Sequence, residues 1–249
     1  MRRAFTLIEL LVVIVIIAIL AGMLMPALAS ARARAQSTSC QDRLHNIGAA
    51  TLMYISDHGG HLPSAGEYRN DIGGGRQFFG FYTGIGEEVD FSRGFLSVYV
   101  GDSEEVWQCP ALRWGEYVPR AWGPCTGYAY NYHYLTRLEE DGNWWEPDYR
   151  SCYVGRHESV VRKSTNTLLF GDSARNWMGP VQENWYWTPP SQAIPWSMGY
   201  AHFRHAGRMN GLWADGHVTS LEPDPIMEPD EDYLGVVCDT SDMYFDPAK

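Results

Sequence analysis

The chain has 249 residues, a net charge of −11 and five cysteines. The negative charge argues against a nucleic-acid partner, because binding to phosphates requires a basic surface. Once the apolar N-terminal segment is set aside, about 200 residues remain, which is enough for one modest globular domain.

The N-terminal segment is long enough to cross a membrane. Arg2 and Arg3 precede a predominantly apolar run from Phe5 to Ala31, which contains one acidic residue, Glu9. About 20 apolar residues span the hydrocarbon core of a bilayer. A carboxylate costs roughly 2.5–3.5 kcal/mol at the centre of such a helix and less near an interface, so Glu9 requires a specific reason.

These residues resemble the N-terminal signature of type IV prepilins and pseudopilins. The matching residues are the leader Met1-Arg2-Arg3-Ala4, the start Phe5-Thr6-Leu7-Ile8-Glu9, and Pro26 late in the helix. The resemblance implies that a prepilin peptidase cuts between Ala4 and Phe5 and methylates the new amino group of Phe5. It also implies pilin-like subunits as partners, with Glu9 paired to the amino terminus of a neighbouring Phe5 in an apolar filament core.

Two other interpretations of this segment stay open. A cleaved secretory signal would have an apolar region of about 7–15 residues, and a plain membrane anchor would leave Glu9 unexplained. Under the prepilin interpretation the chain crosses the inner membrane once. The positive-inside bias places Arg2 and Arg3 in the cytoplasm, so the head lies in the periplasm or at the cell surface.

The sequence predicts that the helix continues beyond the membrane, from Phe5 to about Asp57, over roughly 80 Å. Pro26 should bend it or open a turn. Gly59 and Gly60 are typical of a helix end. An apolar stripe at helical spacing should pack against the head. The stripe comprises Cys40, Leu44, Ile47, Thr51, Leu52 and Ile55.

Short elements are predicted for the head. Residues 62–94, rich in Gly and polar residues, predict a loop with aromatic packing anchors. We predict a short helix or strand at 95–100, a strand at 127–135, and a strand at 166–170 that ends in a turn at 171–173. Residues 209–214 and 217–221 flank Asp215-Gly216, which predicts a hairpin with a type I′ turn.

The predicted fold class is α+β, with a long N-terminal membrane-spanning stalk helix packed on a mixed or antiparallel β-sheet head, as in pilins. The predicted segments are a leader (1–4), a transmembrane and assembly helix (5–31), the outer half of the stalk helix (32–58), a globular head (59–221) and an acidic, Pro-rich tail (222–249).

A second resemblance lies in the C-terminal part. His205 stands nine residues before Asp215-Gly216, and this spacing resembles the H-x9-DG motif of prepilin-type proteins abundant in planctomycete, verrucomicrobial and lentisphaeral bacteria. Further matches are Cys40, Leu52-Met53-Tyr54, Pro63, Cys109-Pro110 and Leu168 to Ser173. The resemblance implies export and prepilin-type processing, without a particular biochemical activity.

Candidate metal ligands occur in two places. His202, His205, Asp215 and His217 offer imidazole and carboxylate groups that suit zinc. The structural alternative, which we favour, is that Asp215 serves the turn and His205 bonds to the hairpin backbone. The acidic residues Asp230-Glu231-Asp232, or Asp239 with Asp242, offer oxygen ligands for Ca2+, although the predicted function requires no cofactor.

The cysteines of an exported chain enter an oxidising compartment, where disulfides form. One or two disulfides are therefore expected among Cys40, Cys109, Cys125 and Cys152. The sequence does not determine the pairing, and the odd number of cysteines leaves one thiol over.

We expect a structural prepilin-like subunit, a minor pseudopilin, of a type IV pilus or type II secretion pseudopilus, and not an enzyme. Gly171-Asp172-Ser173 resembles the nucleophile block of GDS-type esterases, but the D-x-x-H spacing of that family is missing. The alternative function is a surface-displayed protein that binds carbohydrate or protein through aromatic loops, Trp144-Trp145 and Trp185-Tyr186-Trp187. The same rings can instead be core anchors of a loop-rich head.

Overall fold

The computed structural model describes residues 7–83, 88–101, 103–112, 117, 125–143, 146–176, 181–192, 200–225, 229 and 232–249. One helix, α1 (Leu7–Asp57), runs through 51 residues, and the helical assignment continues through Pro26. The predicted end at Asp57 is confirmed. The first part of α1 is long and apolar enough to cross a membrane, and none of its most apolar 18-residue window is buried.

The outer part of α1 packs on the head through the predicted stripe. Cys40, Leu44 and Ile47 are fully buried, and Thr51 and Ile55 are buried as well. Leu52 was assigned to the same stripe, but its side chain is 45% exposed. The buried face also includes Gly48, Ala50 and Tyr54, so it is broader than the predicted stripe.

The first sheet of the head is antiparallel and, among the described residues, has five strands in the order β3-β2-β1-β6-β5. Three of its strands come from the segment 62–94, for which a loop was predicted. Its glycines permit close strand pairing: a Cβ at Gly74 would lie 2.0 Å from the carbonyl oxygen of Tyr82. The strands are β1 (Gly66–Arg69), β2 (Gly74–Gln77), β3 (Phe81–Thr83), β5 (Thr136–Asp141) and β6 (Arg150–Gly155).

The second sheet packs against α1 and holds the centre of the head. Within the described part of the chain it has seven strands, arranged around β7. Strand β10 pairs with β7. Strands β4 and β9 also pair with β7, at different positions along it. Strands β11 and β12 lie at the two ends of the row. The strands are β4 (Tyr128–Tyr130), β7 (Leu168–Asn176), β8 (Val181–Gln182), β9 (Tyr200–His202), β10 (Met209–Trp213), β11 (Val218–Leu221) and β12 (Leu234–Gly235).

Three one-turn helices complete the elements used below: α2 (Ser97–Val100), α3 (Glu104–Trp107) and α4 (Tyr132–Leu135). Two of them lie in segments for which the sequence predicts an element. Residues 95–100 contain a helix, and the predicted strand at 127–135 is only β4, after which the chain turns into α4. The turn predicted at 171–173 is wrong, since β7 continues through these residues to Asn176.

The hairpin predicted near the C-terminus is confirmed, because β10 and β11 pair from Met209↔Leu221 to Leu212↔Val218. Its turn is not type I′. Gly216 has a φ of +91°, whereas Asp215 does not have a positive φ. The loop is closed by the Trp213 N–H, which donates to the carbonyl of His217.

The aromatic residues form the core of the head. Phe78, Trp107, Tyr130 and Phe170 are fully buried together with the face of α1, and the rings of Tyr130 and Phe170 stack with centroids 4.7 Å apart. A second cluster unites Trp187, Phe203, Met209 and Phe245. Phe245 belongs to the predicted acidic, Pro-rich tail (222–249), which packs on the head and contributes β12.

Candidate functional site

Four buried side chains from four separate segments meet between α1 and the second sheet. Cys40 lies on the buried face of α1, Cys109 follows α3, Asp172 lies in the middle of β7, and His205 lies between β9 and β10. One sulfur, nitrogen or oxygen atom from each lies within 4.8 Å of all the others. We call these four residues the stalk–head cluster.

The contacts within the stalk–head cluster form a chain. The Cys40 thiol sulfur lies 3.5 Å from Asp172 Oδ1. Asp172 Oδ2 lies 3.1 Å from His205 Nε2, and the same nitrogen lies 3.4 Å from the Cys109 sulfur. A single ring nitrogen thus faces both a carboxylate and a sulfur.

Asp172 has further partners in the protein. Arg204 Nε lies 3.2 Å from Asp172 Oδ1 as a buried ion pair, and the Asn210 N–H donates to Oδ2 at 2.7 Å. The guanidinium of Arg204 also donates to the carbonyls of Gly127 and Ser173, at 2.7 and 3.1 Å. These bonds fix the carboxylate and supply the positive charge that a buried carboxylate requires.

Protonation in the stalk–head cluster follows from burial and from neighbouring charges. Burial alone would raise the pKa of Asp172, but the charges of Arg204 and then His205 outweigh it and hold that pKa well below its usual range. Burial alone would lower the pKa of His205, whereas the charge and hydrogen bond of Asp172 raise it to about 9.

The two thiols differ. Burial raises the pKa of Cys40 well above its usual value. Burial would do the same at Cys109, but the hydrogen bond from Cys40 and the charge of Arg204 lower the pKa of Cys109 to about 6.

A tight turn places His205. Ala206 and Gly207 have positive φ values of 54° and 80°, and His205 and Arg208 exchange two backbone hydrogen bonds of 3.0 and 3.2 Å. These are the features of a two-residue type I′ turn. The turn type predicted at Asp215-Gly216 therefore occurs at the opposite end of β10, where a non-glycine residue adopts positive φ.

The metal set predicted from His202, His205, Asp215 and His217 is not brought together. His205 and Asp215 lie beyond opposite ends of β10, whose five residues span roughly 16 Å. His202 Nε2 lies 2.9 Å from the carbonyl oxygen of Asp232. Asp215 and His217 contact each other in the hairpin loop, where Asp215 also accepts a hydrogen bond from the His217 N–H. Of this set, only His205 belongs to the stalk–head cluster.

All five cysteines lie in the described part of the chain, and no disulfide joins any two of them there. Of the four disulfide candidates, Cys40 and Cys109 are neighbours in the stalk–head cluster. Cys125, whose N–H donates to Glu183, and Cys152, on β6, lie elsewhere. Cys238 belongs to the second aromatic cluster.

The other candidate residues have local structural contacts. Ser173 Oγ donates to the carbonyl of Tyr200 at 2.7 Å, so its hydroxyl is engaged within the sheet rather than with a histidine. Asp242, a calcium candidate, is buried and accepts from Tyr134 Oη at 2.6 Å and Ser191 N at 2.8 Å. Asp239 accepts from the Ser241 N–H, and Asp232 accepts from Asn176 Nδ2. Asp230 and Glu231 lie outside the described residues.

The aromatic loop candidates divide in the same way. Trp185 and Trp187 are 5% and 1% exposed, which favours the core-anchor interpretation for both. Trp144 and Trp145 lie outside the described residues. The processing residues Ala4 and Phe5 also lie outside them, whereas Glu9 lies in the first turn of α1.

The stalk–head cluster was not predicted as a unit. Each of its members belongs to a segment that supported the second resemblance: Cys40, Cys109-Pro110, Leu168 to Ser173, and His205. That all four residues lie in segments matching the same resemblance was the feature of the sequence that could have indicated a shared site. The sequence predicts a turn at Asp172, and it indicates disulfide formation for Cys109 and both helix packing and disulfide formation for Cys40, but not metal binding for any of the three.

Comparison with known families matches the N-terminus of the chain. The family described as "Prokaryotic N-terminal methylation motif" matches residues 1–25. No curated protein and no solved structure matches the chain. The match supports a type IV prepilin-like, exported protein of structural type. The apolar helix that follows is consistent with anchoring in a membrane.

Proposed function

We propose that this chain is a minor pseudopilin or pilin subunit, which a prepilin peptidase cleaves between Ala4 and Phe5 and methylates at Phe5. The proposal rests on the methylation motif at residues 1–25. The helix that contains part of this motif has an apolar part that the head does not cover. The proposed topology is a single pass through the inner membrane, with Arg2 and Arg3 cytoplasmic and the head outside. A head of this size would be bulky in a major pilin, which favours a minor subunit.

Glu9 gives the assembly step a physical basis. It would be the fifth residue of the processed chain, and it lies in the first turn of α1. A carboxylate in an apolar helix bundle is stabilised when a cation pairs with it. The methylated amino group of Phe5 in a neighbouring subunit would provide that cation. The pairing would set the axial register between subunits, while the apolar side chains of α1 supply the packing.

Processing is tested on the full chain, co-expressed with a prepilin peptidase or with its catalytically inactive variant. Intact mass and N-terminal sequencing should show a chain that begins at methylated Phe5 only with the active peptidase. A chain that begins at Met1 in both samples would contradict the proposed mechanism and leave a plain membrane anchor.

Assembly is tested with Glu9→Gln, which removes the charge and preserves the shape. In a host with a complete pilus or pseudopilus machine, we expect the variant to be processed normally but to lose incorporation into sheared filaments by at least about tenfold, since a buried pair is replaced by an unpaired amine. Glu105→Gln on the head is the matched control and should incorporate normally. Equal incorporation of the Glu9 variant and the wild type would contradict the pairing of Glu9 with Phe5, whereas absence of both chains from sheared filaments would favour an anchored binding protein.

A further inference from the structure

The stalk–head cluster has the dimensions of a tetrahedral metal site. With zinc bonds of about 2.3 Å to sulfur and about 2.0–2.1 Å to nitrogen and oxygen, tetrahedral angles place sulfur about 3.5 Å from a neighbouring nitrogen or oxygen, and nitrogen about 3.3 Å from oxygen. If Asp172 Oδ2 is the ligand oxygen, the observed separations are 3.8 Å from it to Cys40 Sγ and 3.1 Å from it to His205 Nε2, with 3.4 Å between Cys109 Sγ and His205 Nε2.

We propose that Cys40, Cys109, Asp172 and His205 bind one Zn2+ ion in a closed, structural site that fastens the stalk helix to the head. The site is separate from the N-terminal motif, so the inference does not depend on the proposed function. It connects α1, the segment after α3, β7 and the β9–β10 turn, four parts of the chain that are distant in sequence.

The ligand types select the metal. Two thiolates and an imidazole favour zinc over Mg2+ or Ca2+, which prefer oxygen ligands. All four side chains are buried, and four protein ligands complete the tetrahedral shell. Structural zinc sites are closed in this way, whereas catalytic ones keep a position for water or substrate.

The charges balance when zinc is bound. Two thiolates and the Asp172 carboxylate carry three negative charges, which Zn2+ and the neighbouring Arg204 guanidinium together neutralise. Arg204 thus stabilises the site, because its positive charge compensates the one negative charge that remains on the ligands after zinc has bound. Zinc binds both cysteines as thiolates and His205 through an unprotonated Nε2, and any protons that these groups carry beforehand pass to solvent, so no oxidant or reductant is needed.

A disulfide between Cys40 and Cys109 is the competing outcome. It would bond the two sulfurs, release two protons and pass two electrons to a thiol–disulfide oxidant of the exported compartment. It would also remove both thiolate ligands, so the same molecule cannot have the disulfide and the zinc site. This exclusivity makes the two states easy to separate by experiment.

The test uses the full chain, purified in detergent without chelator or reductant from cells grown with zinc. Elemental analysis should find about one Zn2+ per chain, and thiol mapping should find Cys40 and Cys109 free of a mutual disulfide. Cys109→Ser should lower the zinc content at least about tenfold, because zinc binds thiolate ligands in sites of this kind. Cys152→Ser, which removes a thiol outside the stalk–head cluster, should leave the zinc content unchanged.

Cobalt provides a readout on the wild-type chain in case the Cys109 variant fails to fold. Replacement of zinc by Co2+ should give the intense visible d–d bands of tetrahedral cobalt and a thiolate-to-cobalt charge-transfer band. A Cys40–Cys109 disulfide in metal-free protein, a cobalt spectrum without a sulfur charge-transfer band, or equal zinc loss in Cys152→Ser would each overturn the proposal.

Discussion

The two halves of α1 use apolar side chains in opposite ways. In the first half Leu7, Ile17 and Leu28 are 82%, 58% and 70% exposed, whereas Leu44 and Ile47 in the second half are fully buried. A helix that is apolar all round requires lipid or other helices, and one with an apolar stripe requires a single partner surface. One continuous helix therefore carries an internal interface, formed within the chain, and an external one that awaits the membrane or other subunits.

Polar contacts give the outer half a fixed position on the head. Gln41 Nε2 donates to Asn210 Oδ1 and Ser220 Oγ, both at 3.0 Å, and Gln36 Nε2 donates to the carbonyl of Pro110 at 3.0 Å. These bonds have directional requirements that apolar packing lacks. The outer half should consequently respond to substitution through stability, and the inner half through assembly.

The largest effect is expected at Leu44. Leu44→Ala would leave a cavity between α1 and the head and should lower the free energy of unfolding by about 3 kcal/mol. Urea unfolding of the full chain in detergent, followed by tryptophan fluorescence, measures this change. The matched control is Leu20→Ala, at a position 56% exposed in the inner half, which should change the value by less than about 0.5 kcal/mol. Equal losses would show that the halves are energetically alike.

Two glycines of α1 offer a second paired comparison. A Cβ at Gly48 would lie 2.8 Å from Leu212 Cδ1, whereas a Cβ at Gly22 would meet nothing within 4 Å. Overpacking costs about 1–3 kcal/mol, against about 1 kcal/mol gained in helix propensity. Because Leu212 is fully buried, Gly48→Ala should destabilise the head by about 1 kcal/mol.

Gly22→Ala should leave the unfolding of the head unchanged and raise helicity slightly, since only the propensity gain of up to about 1 kcal/mol remains. Circular dichroism and urea unfolding of both variants under the same detergent conditions check the pair. A stabilising effect of Gly48→Ala would mean that Leu212 adjusts without strain and that the contact between α1 and β10 is looser than its geometry indicates.

The polar contacts are tested by Gln41→Ala. The substitution leaves Asn210 and Ser220 without the amide donor, and a lost hydrogen bond of this kind costs about 1 kcal/mol. His45→Ala, one turn further along on the exposed side of α1, is the control and should fall within about 0.5 kcal/mol of wild type. Amide hydrogen exchange should rise at residues 36–44 in the Gln41 variant alone. Unchanged exchange there would mean that apolar packing, rather than the Gln41 hydrogen bonds, fixes the position of α1 on the head.

The difference between the halves of α1 was predictable, and the stalk–head cluster was not. The apolar run, the stripe and the glycines after Asp57 are local patterns, and each predicts the structure of the residues that contain it. The strands of residues 62–94 were missed because Gly74 and Gly75 look like loop residues, although close pairing with Tyr82 and Glu67 is what requires them. Local propensity carries no information on such cross-strand distances.

The stalk–head cluster could not be predicted for the same reason, at longer range. Cys40 was predicted correctly as a buried helix residue, and His205 as part of a motif. Their convergence with Asp172 depends on β7 continuing through a segment whose sequence predicts a turn, and on a type I′ turn that contains Ala206. Neither feature has a local signature. The residues Gly171-Asp172-Ser173 are typical of a turn, and Ala is not a residue that favours positive φ.

The smallest effect is expected at the exposed edge of the contact between α1 and the head. Arg43 Nη2 lies 2.7 Å from Glu105 Oε1, but the Glu105 side chain is 78% exposed. Ion pairs open to solvent contribute about 0–1 kcal/mol, so Glu105→Gln should cost less than about 0.5 kcal/mol and lose even that in high salt. Arg43→Ala should cost more, about 1 kcal/mol, because it also removes the 2.6 Å hydrogen bond to the carbonyl of Gln108. Urea unfolding at two salt concentrations separates the contribution of the ion pair, which salt weakens, from that of the hydrogen bond to Gln108. An equal cost for both variants would mean that the ion pair, rather than the backbone bond, holds this edge of the helix.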